Sequence, residues 1–238
     1  MNKESKITLV QETLATKWKC SKSIFKESEN VFIKSKDSFF EIVTFGENAV
    51  IRADSLIYQW CIEKFLGVPP RDILDGENLF AIETKLREFG KRLAGENVRY
   101  LYLNNKMEIY KPCDYEYKLF DKKNIKELNT ICGKDNFRNA LNYKNDVIAL
   151  GAYKEENLVA LAAADDTMGN LWQIGIDTLE QHRNKGIASY IVKTLADEIE
   201  KKGATPYYTT WSANIASTKV ALSTGFLPVW VSYHGENL

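Results

Sequence analysis

The feature that most restricts the fold is a predicted strand, Leu171–Thr178, that leads through a short loop into a long helix, Gly186–Lys202. Apolar residues recur at every fourth position of this helix and form one face of it, namely Ile187, Ile191, Leu195 and Ile199. Gly203 stands just past the helix, where a left-handed cap favours glycine. A strand followed so closely by an amphipathic helix indicates a mixed α/β domain.

The elements predicted around this segment follow the order β-α-β-β-β-α-β-α-β. Besides Leu171–Thr178, strands are predicted at Tyr115–Phe120, Asp146–Tyr153, Leu158–Ala163, Tyr207–Ser212 and Val229–His234. A further helix is predicted to start over Lys123–Leu128, and another is predicted at Ile215–Thr224. Glu155-Glu156-Asn157 is typical of a hairpin connection, and Pro228 is expected just before the last strand.

The amino-terminal half has a different pattern and carries no motif that names a chemistry. Its helices are predicted at Ile7–Trp18, Leu56–Leu66 and Leu79–Leu93. Its strands are predicted at Val31–Lys34, Phe39–Phe45, Ala49–Ala53 and Val98–Leu103, with a hairpin turn at Gly46-Glu47-Asn48. The sequence therefore predicts a smaller α+β domain over residues 1–113 and an α/β domain over residues 114–238.

Composition argues against several classes of function. Lys plus Arg and Asp plus Glu each number 32, so the formal net charge is zero and no extended nucleic-acid surface is expected. No run approaches the roughly 18 apolar residues of a membrane span, so no membrane partner is expected. The four cysteines are scattered and only two histidines are present, so no metal site is expected. Scattered thiols favour a cytoplasmic protein.

The loop before the long helix carries the predicted chemistry. Backbone N–H groups at a helix start lack intrahelical partners, and the helix dipole adds positive charge there, so the site suits a diphosphate. Gly186 and Ala188 let phosphates come close to the backbone, and Arg183 and Lys185 add charge. The alternative interpretation is an ordinary strand–helix connection with solvated Arg and Lys.

These residues resemble a known family. Arg183-x-x-Gly186-x-Ala188 is similar to the Q/R-x-x-G-x-G/A signature of the GNAT acyltransferases, which cradles the pyrophosphate of acetyl-CoA. Asn214-x-x-Ser217 followed by Gly225-Phe226 resembles the late helix of that family. The resemblance covers about Tyr115–His234. It implies a mixed, mostly antiparallel sheet flanked by helices, with acetyl-CoA as the co-substrate.

The resemblance also implies a role for each residue of the segment. Backbone groups of Ile176, Asp177 and Thr178 would pair with the pantetheine arm, and a bulge there would splay this strand from the next one. Six residues would hold the diphosphate: Arg183, Asn184, Lys185, Gly186, Ile187 and Ala188. Asn214 would cap the late helix and is a candidate for contact with the pantetheine, although capping alone also explains an Asn there.

The proton donor for the departing thiolate is open in this sequence. Many members of the family carry a Tyr on the late helix at the position of Ala221. Ser217, one turn earlier, and Tyr233, on the last strand, are therefore the candidate donors. Each also has a structural interpretation, Ser217 as a small packing residue and Tyr233 as a half-buried strand aromatic.

The base that deprotonates the amine is equally open. Trp172 and Gln173 stand where several members of the family carry a Glu, and neither accepts a proton at neutral pH. Asp165, beside Asp166, closes the previous strand and is the candidate base, with a solvated turn as the alternative interpretation. The loop residues Glu180 and His182 are predicted to be surface residues.

The sequence therefore predicts an N-acetyltransferase that moves an acetyl group from acetyl-CoA to an amine of a small molecule or a protein. The alternative is a catalytically silent acyl-CoA-binding sensor or partner module, which the missing Tyr and Glu favour. A nucleotide-phosphate enzyme has little support, since neither G-x-x-x-x-G-K-[ST] nor G-x-G-x-x-G occurs. The amino-terminal half is expected to shape the acceptor site or a dimer contact, which leaves a homodimer open.

Overall fold

The chain divides into two compact units in a computed structural model that describes residues 2–132, 137–142 and 145–238. Unit 1 comprises Met1–Ile7, Tyr100–Thr209 and Ala213–Pro228. Unit 2 comprises Thr8–Arg99, Thr210–Ser212 and Val229–Leu238. The division into domains at residue 113 stays a prediction.

The helices and strands alternate along the chain. The helices are α1 (Lys3–Trp18), α2 (Ser55–Phe65), α3 (Gly76–Arg87), α4 (Leu128–Ile131), α5 (Ile187–Lys201) and α6 (Ile215–Ser223). The strands are β1 (Val31–Ser35), β2 (Phe40–Thr44), β3 (Ala49–Asp54), β4 (Lys91–Leu93), β5 (Asn97–Tyr102), β6 (Glu116–Phe120), β7 (Asp146–Lys154), β8 (Asn157–Met168), β9 (Leu171–Thr178), β10 (Thr205–Thr210) and β11 (Phe226–Asn237). Short 3₁₀ turns occupy Lys22–Lys26, Pro70–Asp72, Ile125–Glu127 and Glu180–His182.

The sheet of unit 1 has the strand order β10-β9-β8-β7-β6. Neighbours from β6 to β9 pair antiparallel, whereas β10 pairs parallel with β9 after the crossover through α5. The predicted mixed, mostly antiparallel sheet flanked by helices is therefore confirmed.

Burial explains why α5 forms where the sequence predicts it. The four residues of its predicted apolar face are at most 1% exposed, and the helix packs on β7, β8 and β9. A separate cluster of this unit contains residues of β6, α4 and β8, including Phe120, Leu128, Leu161 and Ala163. The hydrophobic effect of these contacts holds the helices on the sheet.

The strands of unit 2 pair in the order β1-β3-β2-β11, and β4 also pairs with β11. β1 and β3 are parallel, and the other pairs are antiparallel. Its core joins sheet residues such as Phe40 and Ile51 to Ile57 and Phe65 of α2 and Ile82 of α3. Within the described residues of the chain, no helix is both long enough and apolar enough to cross a membrane.

Two predicted hairpins are present, and their turn residues have the expected backbone. Gly46 of the β2–β3 turn has φ of +102°. Glu155 and Glu156 of the β7–β8 turn have φ of +50° and +66°, so both central residues are left-handed, as a two-residue type I′ turn requires. Asn157 belongs to β8 and not to the turn.

The predicted helix Leu79–Leu93 is wrong at both ends. α3 begins at Gly76, behind the Asp75 cap, and ends at Arg87. Gly90 then takes a φ of +66°, which turns the chain and lets Lys91–Leu93 form β4. The sequence prediction extended the apolar spacing through a glycine that interrupts it.

Three other boundaries in the carboxy-terminal half are also corrected. β11 begins at Phe226, so Pro228 lies inside the strand at an exposed position. The helix predicted to start over Lys123–Leu128 is a 3₁₀ turn, Ile125–Glu127, followed by the single-turn α4. β10 covers Thr205–Thr210 and ends before Ser212.

Candidate active site

The connection from β9 to α5 has an unusual backbone. After the 3₁₀ turn Glu180–His182, Asn184 and Gly186 take left-handed φ values of +59° and +76°. Gly186 is the N-cap of α5, and no side chain forms a cap hydrogen bond at this described helix start. The first amides of α5 are therefore left for solvent or for a ligand.

The helix dipole and two basic side chains place positive charge at this open helix start. The helix dipole contributes roughly half a unit charge there. Arg183 and Lys185 are exposed beside it, and Arg183 Nε donates to the Thr178 carbonyl at 3.1 Å. Ile187 is buried, which anchors the helix end to the core. The predicted phosphate residues 183–188 thus lie together at one helix terminus, and its geometry suits a diphosphate.

The strands β9 and β10 separate beside this terminus. Their parallel register runs from Thr205 opposite Leu171 to Tyr208 opposite Ile174 and stops there, although β9 continues to Thr178. On its other edge, β9 stays paired with β8 as far as Thr178 opposite Ala160. Residues 175–178 therefore present a backbone edge that is not paired with β10.

We call the place where β9 and β10 separate the fork. It differs in one respect from the sequence prediction. The expected break in the ladder is present on the β10 side of Ile176–Thr178. From Gln173 to Thr178, all of which the structure describes, the pairing of β9 with β8 carries no bulge. The register shift of that strand pair lies between Asp165 and Met168. The strands separate because β10 diverges, and not because β9 bulges.

On the elements that form the fork, three buried hydroxyls have no hydrogen-bond partner among the residues that the structure describes. They belong to Thr178 at the end of β9, Thr209 in β10 and Thr218 in the first turn of α6. A threonine in a helix commonly bonds back to the preceding turn, as Thr224 Oγ1 does to the Val220 carbonyl at 2.8 Å. Leaving a buried hydroxyl unsatisfied costs about 1–3 kcal/mol. Free hydroxyls at a fork fit a ligand that carries amide groups, as the pantetheine arm does.

The start of α6 is closed by its own cap. Asn214 Oδ1 accepts from the Ser217 N–H at 3.1 Å, which is the capping role predicted for Asn214. Ser217 Oγ lies 2.6 Å from Tyr208 Oη. Burial raises the pKa of Tyr208 to about 12, and the Asp177 charge acts in the same direction while the Ser217 bond opposes it. Sequence reasoning gave Tyr208 no catalytic role.

A row of polar side chains crosses the sheet of unit 1 and includes the predicted base. Asp165 is opposite Asp146 on one side and Gln173 on the other. Gln173 is in turn opposite Tyr207, whose hydroxyl donates to Gln173 Oε1 at 2.7 Å. Cross-strand partners share a face, so these four residues lie side by side, and we call them the acidic row.

Asp146 is the member of this row that the sequence did not single out. Its Oδ2 accepts from the Asn142 N–H at 2.8 Å. Burial raises the pKa of Asp146 to about 6, the Asn142 bond lowers it, and the Asp165 charge raises it further. A carboxylate with this pKa is suited to accept a proton near neutral pH.

Asp177 and Gly175 position a neighbouring segment against β9. The Asp177 carboxylate accepts from Asn139 N at 2.6 Å and from Asn139 Nδ2 at 2.8 Å. A Cβ on Gly175 would lie 2.3 Å from the Asn139 carbonyl oxygen, so only glycine permits this contact. The Asp177 side chain therefore has a structural partner, and its predicted cofactor contact concerns the backbone alone.

The remaining candidates and loop residues each have surroundings of their own. Tyr233 belongs to unit 2, is opposite Ile42 and packs against the hydrophobic core of that unit. Burial raises the pKa of Tyr233. His182 Nδ1 lies 3.2 Å from Tyr115 Oη, and Glu180 is exposed. Among the described residues, no group of three or more His, Cys, Asp or Glu side chains is placed to hold a metal ion.

The profile of the GNAT acetyltransferase family matches residues 82–229, which is more than half of the chain. The chain therefore belongs to the GNAT acetyltransferase family. The match contains β9, α5, β10 and α6, so it covers the fork and both helix starts. No curated protein sequence matches the chain.

Solved structures share this fold at low sequence identity. A Drosophila protein is 12% identical over 85% of this chain and 75% of its own, with a TM-score of 0.50. An acetyltransferase of the GNAT family from Colwellia psychrerythraea is 17% identical over 61% of this chain and 57% of its own, with a TM-score of 0.44. A GCN5-related N-acetyltransferase-like protein from Streptococcus suis is 17% identical over 68% of this chain and 69% of its own, with a TM-score of 0.46. The chain thus spans less than two thirds of the Colwellia protein.

Proposed function

We propose that the protein is an N-acetyltransferase that moves an acetyl group from acetyl-CoA to an amine of a small molecule or a protein. The observation that carries the proposal is the open start of α5 beside the unpaired edge of β9. One end of this arrangement suits two phosphoryl groups, and the other suits an extended chain of amides.

Different groups of residues bind the different parts of acetyl-CoA in this proposal. Backbone N–H groups of residues 186–188 receive the diphosphate, with Arg183, Asn184 and Lys185 lining the approach. Backbone groups of Ile176, Asp177 and Thr178 pair with the pantetheine arm in place of β10. The free hydroxyls of Thr178, Thr209 and Thr218 support this proposal, because an amide-bearing ligand would satisfy them. Asn214 and Ser217 complete the slot from α6.

The acidic row supplies the base in this proposal. Asp146 or its neighbour Asp165 accepts the proton of the amine, directly or through a water, so that the amine nitrogen can attack. The raised pKa of Asp146, about 6, supports this role because the group is ionised yet basic near neutral pH. Ser217 is the candidate donor to the departing thiolate, and Tyr233 of unit 2 is the second candidate.

The rest of the chain is proposed to serve the acceptor. The amino-terminal half, residues 1–113, is proposed to shape the acceptor site or a dimer contact. The four cysteines are free thiols, which supports a reducing compartment such as the cytoplasm as the place of action.

The alternative is a silent acyl-CoA sensor, which Ala221 and Gln173 favour because they replace the Tyr and Glu of many family members. Calorimetry with CoA and thiol release from acetyl-CoA over a panel of amines separate the two functions. The acetyltransferase proposal expects saturable CoA binding and amine-dependent thiol release. Binding without release supports the sensor, and the absence of binding contradicts both.

A further inference from the structure

A pair of hydroxyls lies at the vertex of the fork, where β9 and β10 part. Tyr208 is opposite Ile174 in the last register pair of these strands, and its Oη lies 2.6 Å from Ser217 Oγ on α6. We propose that Ser217 donates a hydrogen bond to the CoA sulfur as it leaves, and that Tyr208 positions Ser217 for this contact. This inference rests on the proposed function, since it requires CoA in the fork.

The position of the Tyr208 phenol is fixed by its packing. The side chain is 1% exposed, and its ring lies 5.8 Å from the Phe226 ring, centroid to centroid. Ser217 is equally constrained, because its N–H bonds to the Asn214 cap and holds the first turn of α6 in place. Two hydroxyls held from two different elements form a preorganised donor chain, which needs no rearrangement when charge develops on the sulfur.

Either oxygen of the Tyr208–Ser217 pair can be the donor, and the proposal requires the phenol to donate. Burial raises the pKa of Tyr208 to about 12, the bond with Ser217 lowers it, and the neighbouring groups Asp177 and Tyr100 raise it. Tyr208 therefore stays protonated at neutral pH and can donate its hydrogen to Ser217 Oγ. Ser217 then has its own hydrogen free to donate to a third atom.

Residue 221 explains why the phenol is supplied by a strand in this protein. Resemblance to the family places a Tyr there, one turn beyond Ser217, but Ala221 is fully buried and ends at its methyl group. The phenol is supplied instead by β10 and acts through Ser217. Ser217 is the catalytic residue of the pair, and Tyr208 is a positioning residue.

The step balances without net proton transfer from either hydroxyl. The amine nitrogen forms a bond to the acetyl carbon, the bond from that carbon to sulfur breaks, and its electron pair stays on the sulfur. Ser217 stabilises the resulting thiolate by a hydrogen bond, while the proton lost by the amine goes to the acidic row or to water. Full transfer from Tyr208 would be unfavourable, because its pKa lies above that of an ordinary thiol, about 8.5.

The test measures the pKa of the CoA thiol bound to the protein, from the ultraviolet absorbance of the thiolate. Ser217→Ala and Tyr208→Phe should each raise the pKa of the bound thiol by about one pH unit, the size expected for a hydrogen bond to a charged group. Ser217→Thr keeps a hydroxyl and should restore the wild-type value. Tyr207→Phe is the matched control, because its hydroxyl bonds to Gln173 and should leave the thiol unaffected.

Kinetics provide the second readout. Ser217→Ala should lower kcat for acetyl transfer by about 10-fold while KM for acetyl-CoA stays within about twofold, because the bond strengthens only as charge develops. Thermal unfolding checks that each variant is folded. If Tyr208→Phe does not fold, fluorotyrosine at position 208 replaces it: its more acidic phenol donates more strongly and should lower the pKa of the bound thiol, whereas an unchanged value would overturn the role of Tyr208.

The outcomes distinguish this inference from the function on which it rests. Equal thiol pKa values in the wild type and Ser217→Ala, with CoA bound to both, would overturn the hydroxyl chain and leave the acetyltransferase proposal standing. A wild-type protein that binds no CoA by calorimetry would overturn both.

Discussion

The two helices that follow β9 and β10 start with the same three residues but have opposite caps. α5 starts Ile187-Ala188-Ser189, and α6 starts Ile215-Ala216-Ser217. The N-cap of α5 is Gly186 with φ of +76° and no side-chain bond, whereas Asn214 accepts from Ser217 N–H at the start of α6. The residue before each helix, and not the helix sequence, decides whether its amides are available to a ligand.

Under the proposed function, the first junction serves cofactor binding and the second serves the chemistry. The β9–α5 junction offers unpaired amides and positive charge, which favour an anion. The β10–α6 junction is closed by its cap and presents hydroxyls, and β10 also carries Tyr207 at the end of the acidic row. We therefore expect changes at the first junction to alter affinity for CoA, and changes at the second junction and along the row to alter kcat.

The largest effect is expected from a carboxylate placed at the first junction. Ala188→Asp should weaken CoA binding by about 150-fold, since two like charges about 5 Å apart repel by about 3 kcal/mol at an effective dielectric constant near 20. The helix itself should not be destabilised, because a carboxylate at its start is favourable. Calorimetry with CoA and thermal unfolding measure the two quantities.

Ala216→Asp is the matched control for this change. It places the same carboxylate at the equivalent, exposed position of α6, where Asn214 already caps the helix. Its effect on CoA affinity should stay below about threefold, the range of an exposed charge interaction. Equal losses in both variants would show that the two junctions do not differ in the way the caps suggest.

The second largest effect is expected in the acidic row. Asp146→Asn should lower kcat by about 100-fold with little change in CoA affinity, because it removes a general base but no cofactor contact. In the wild type, kcat should rise with pH through about 6, the pKa of Asp146. A variant that keeps the wild-type kcat and pH profile would exclude Asp146 as the base and leave Asp165.

The same variant should be more stable than the wild type at high pH. The pKa of Asp146 is raised in the folded protein, so the ionised group opposes folding above about pH 6, and this cost disappears as the pH falls towards 4. The gain in free energy of unfolding should be about 1 kcal/mol at pH 8, after allowance for partial exposure, and near zero at pH 4. Urea unfolding at the two pH values measures it.

A smaller effect is expected from removing the cap of α6. Asn214→Ala leaves the Ser217 N–H without its side-chain partner and should cost about 1 kcal/mol of stability. For a chain of this size the unfolding temperature should fall by about 2–4 °C. An unchanged unfolding temperature would mean that the cap bond contributes nothing, and that α6 is held by its packing alone.

The smallest effect is expected from Arg183→Ala. The side chain is exposed, and its Nε already donates to the Thr178 carbonyl. Its contribution to CoA affinity should therefore be about threefold and should disappear at high salt. A loss as large as that of Ala188→Asp would shift the origin of binding from the backbone amides to the guanidinium.

The sequence predicted the β9–α5 junction because its signals are local. The four-residue repeat of α5, the glycine before it and the strand ahead of it all lie within one stretch of chain. The predicted helix Leu79–Leu93 was too long because the same local apolar spacing continues past Gly90, where the backbone turns. Local patterns place elements well and their ends less well.

The acidic row and the Tyr208–Ser217 hydroxyl pair could not be predicted from the sequence, because they depend on how the strands and α6 come together. Asp146 meets Asp165 only because the β7–β8 pairing shifts between Asp146 and Ile148. One residue of slip turns a side chain to the other face of a sheet, and no local signal predicts such a shift. Tyr208 likewise reaches Ser217 across nine positions of chain, through the return of α6 onto the sheet.

The central claim is that the first amides of α5 bind the diphosphate, and amide NMR on isotope-labelled protein titrated with CoA tests it most directly. The account predicts large, saturable downfield shifts of the Ile187, Ala188 and Ser189 amide protons, with smaller changes at Ile215 and Ala216. Saturable CoA binding that leaves the α5 amides unmoved would contradict it.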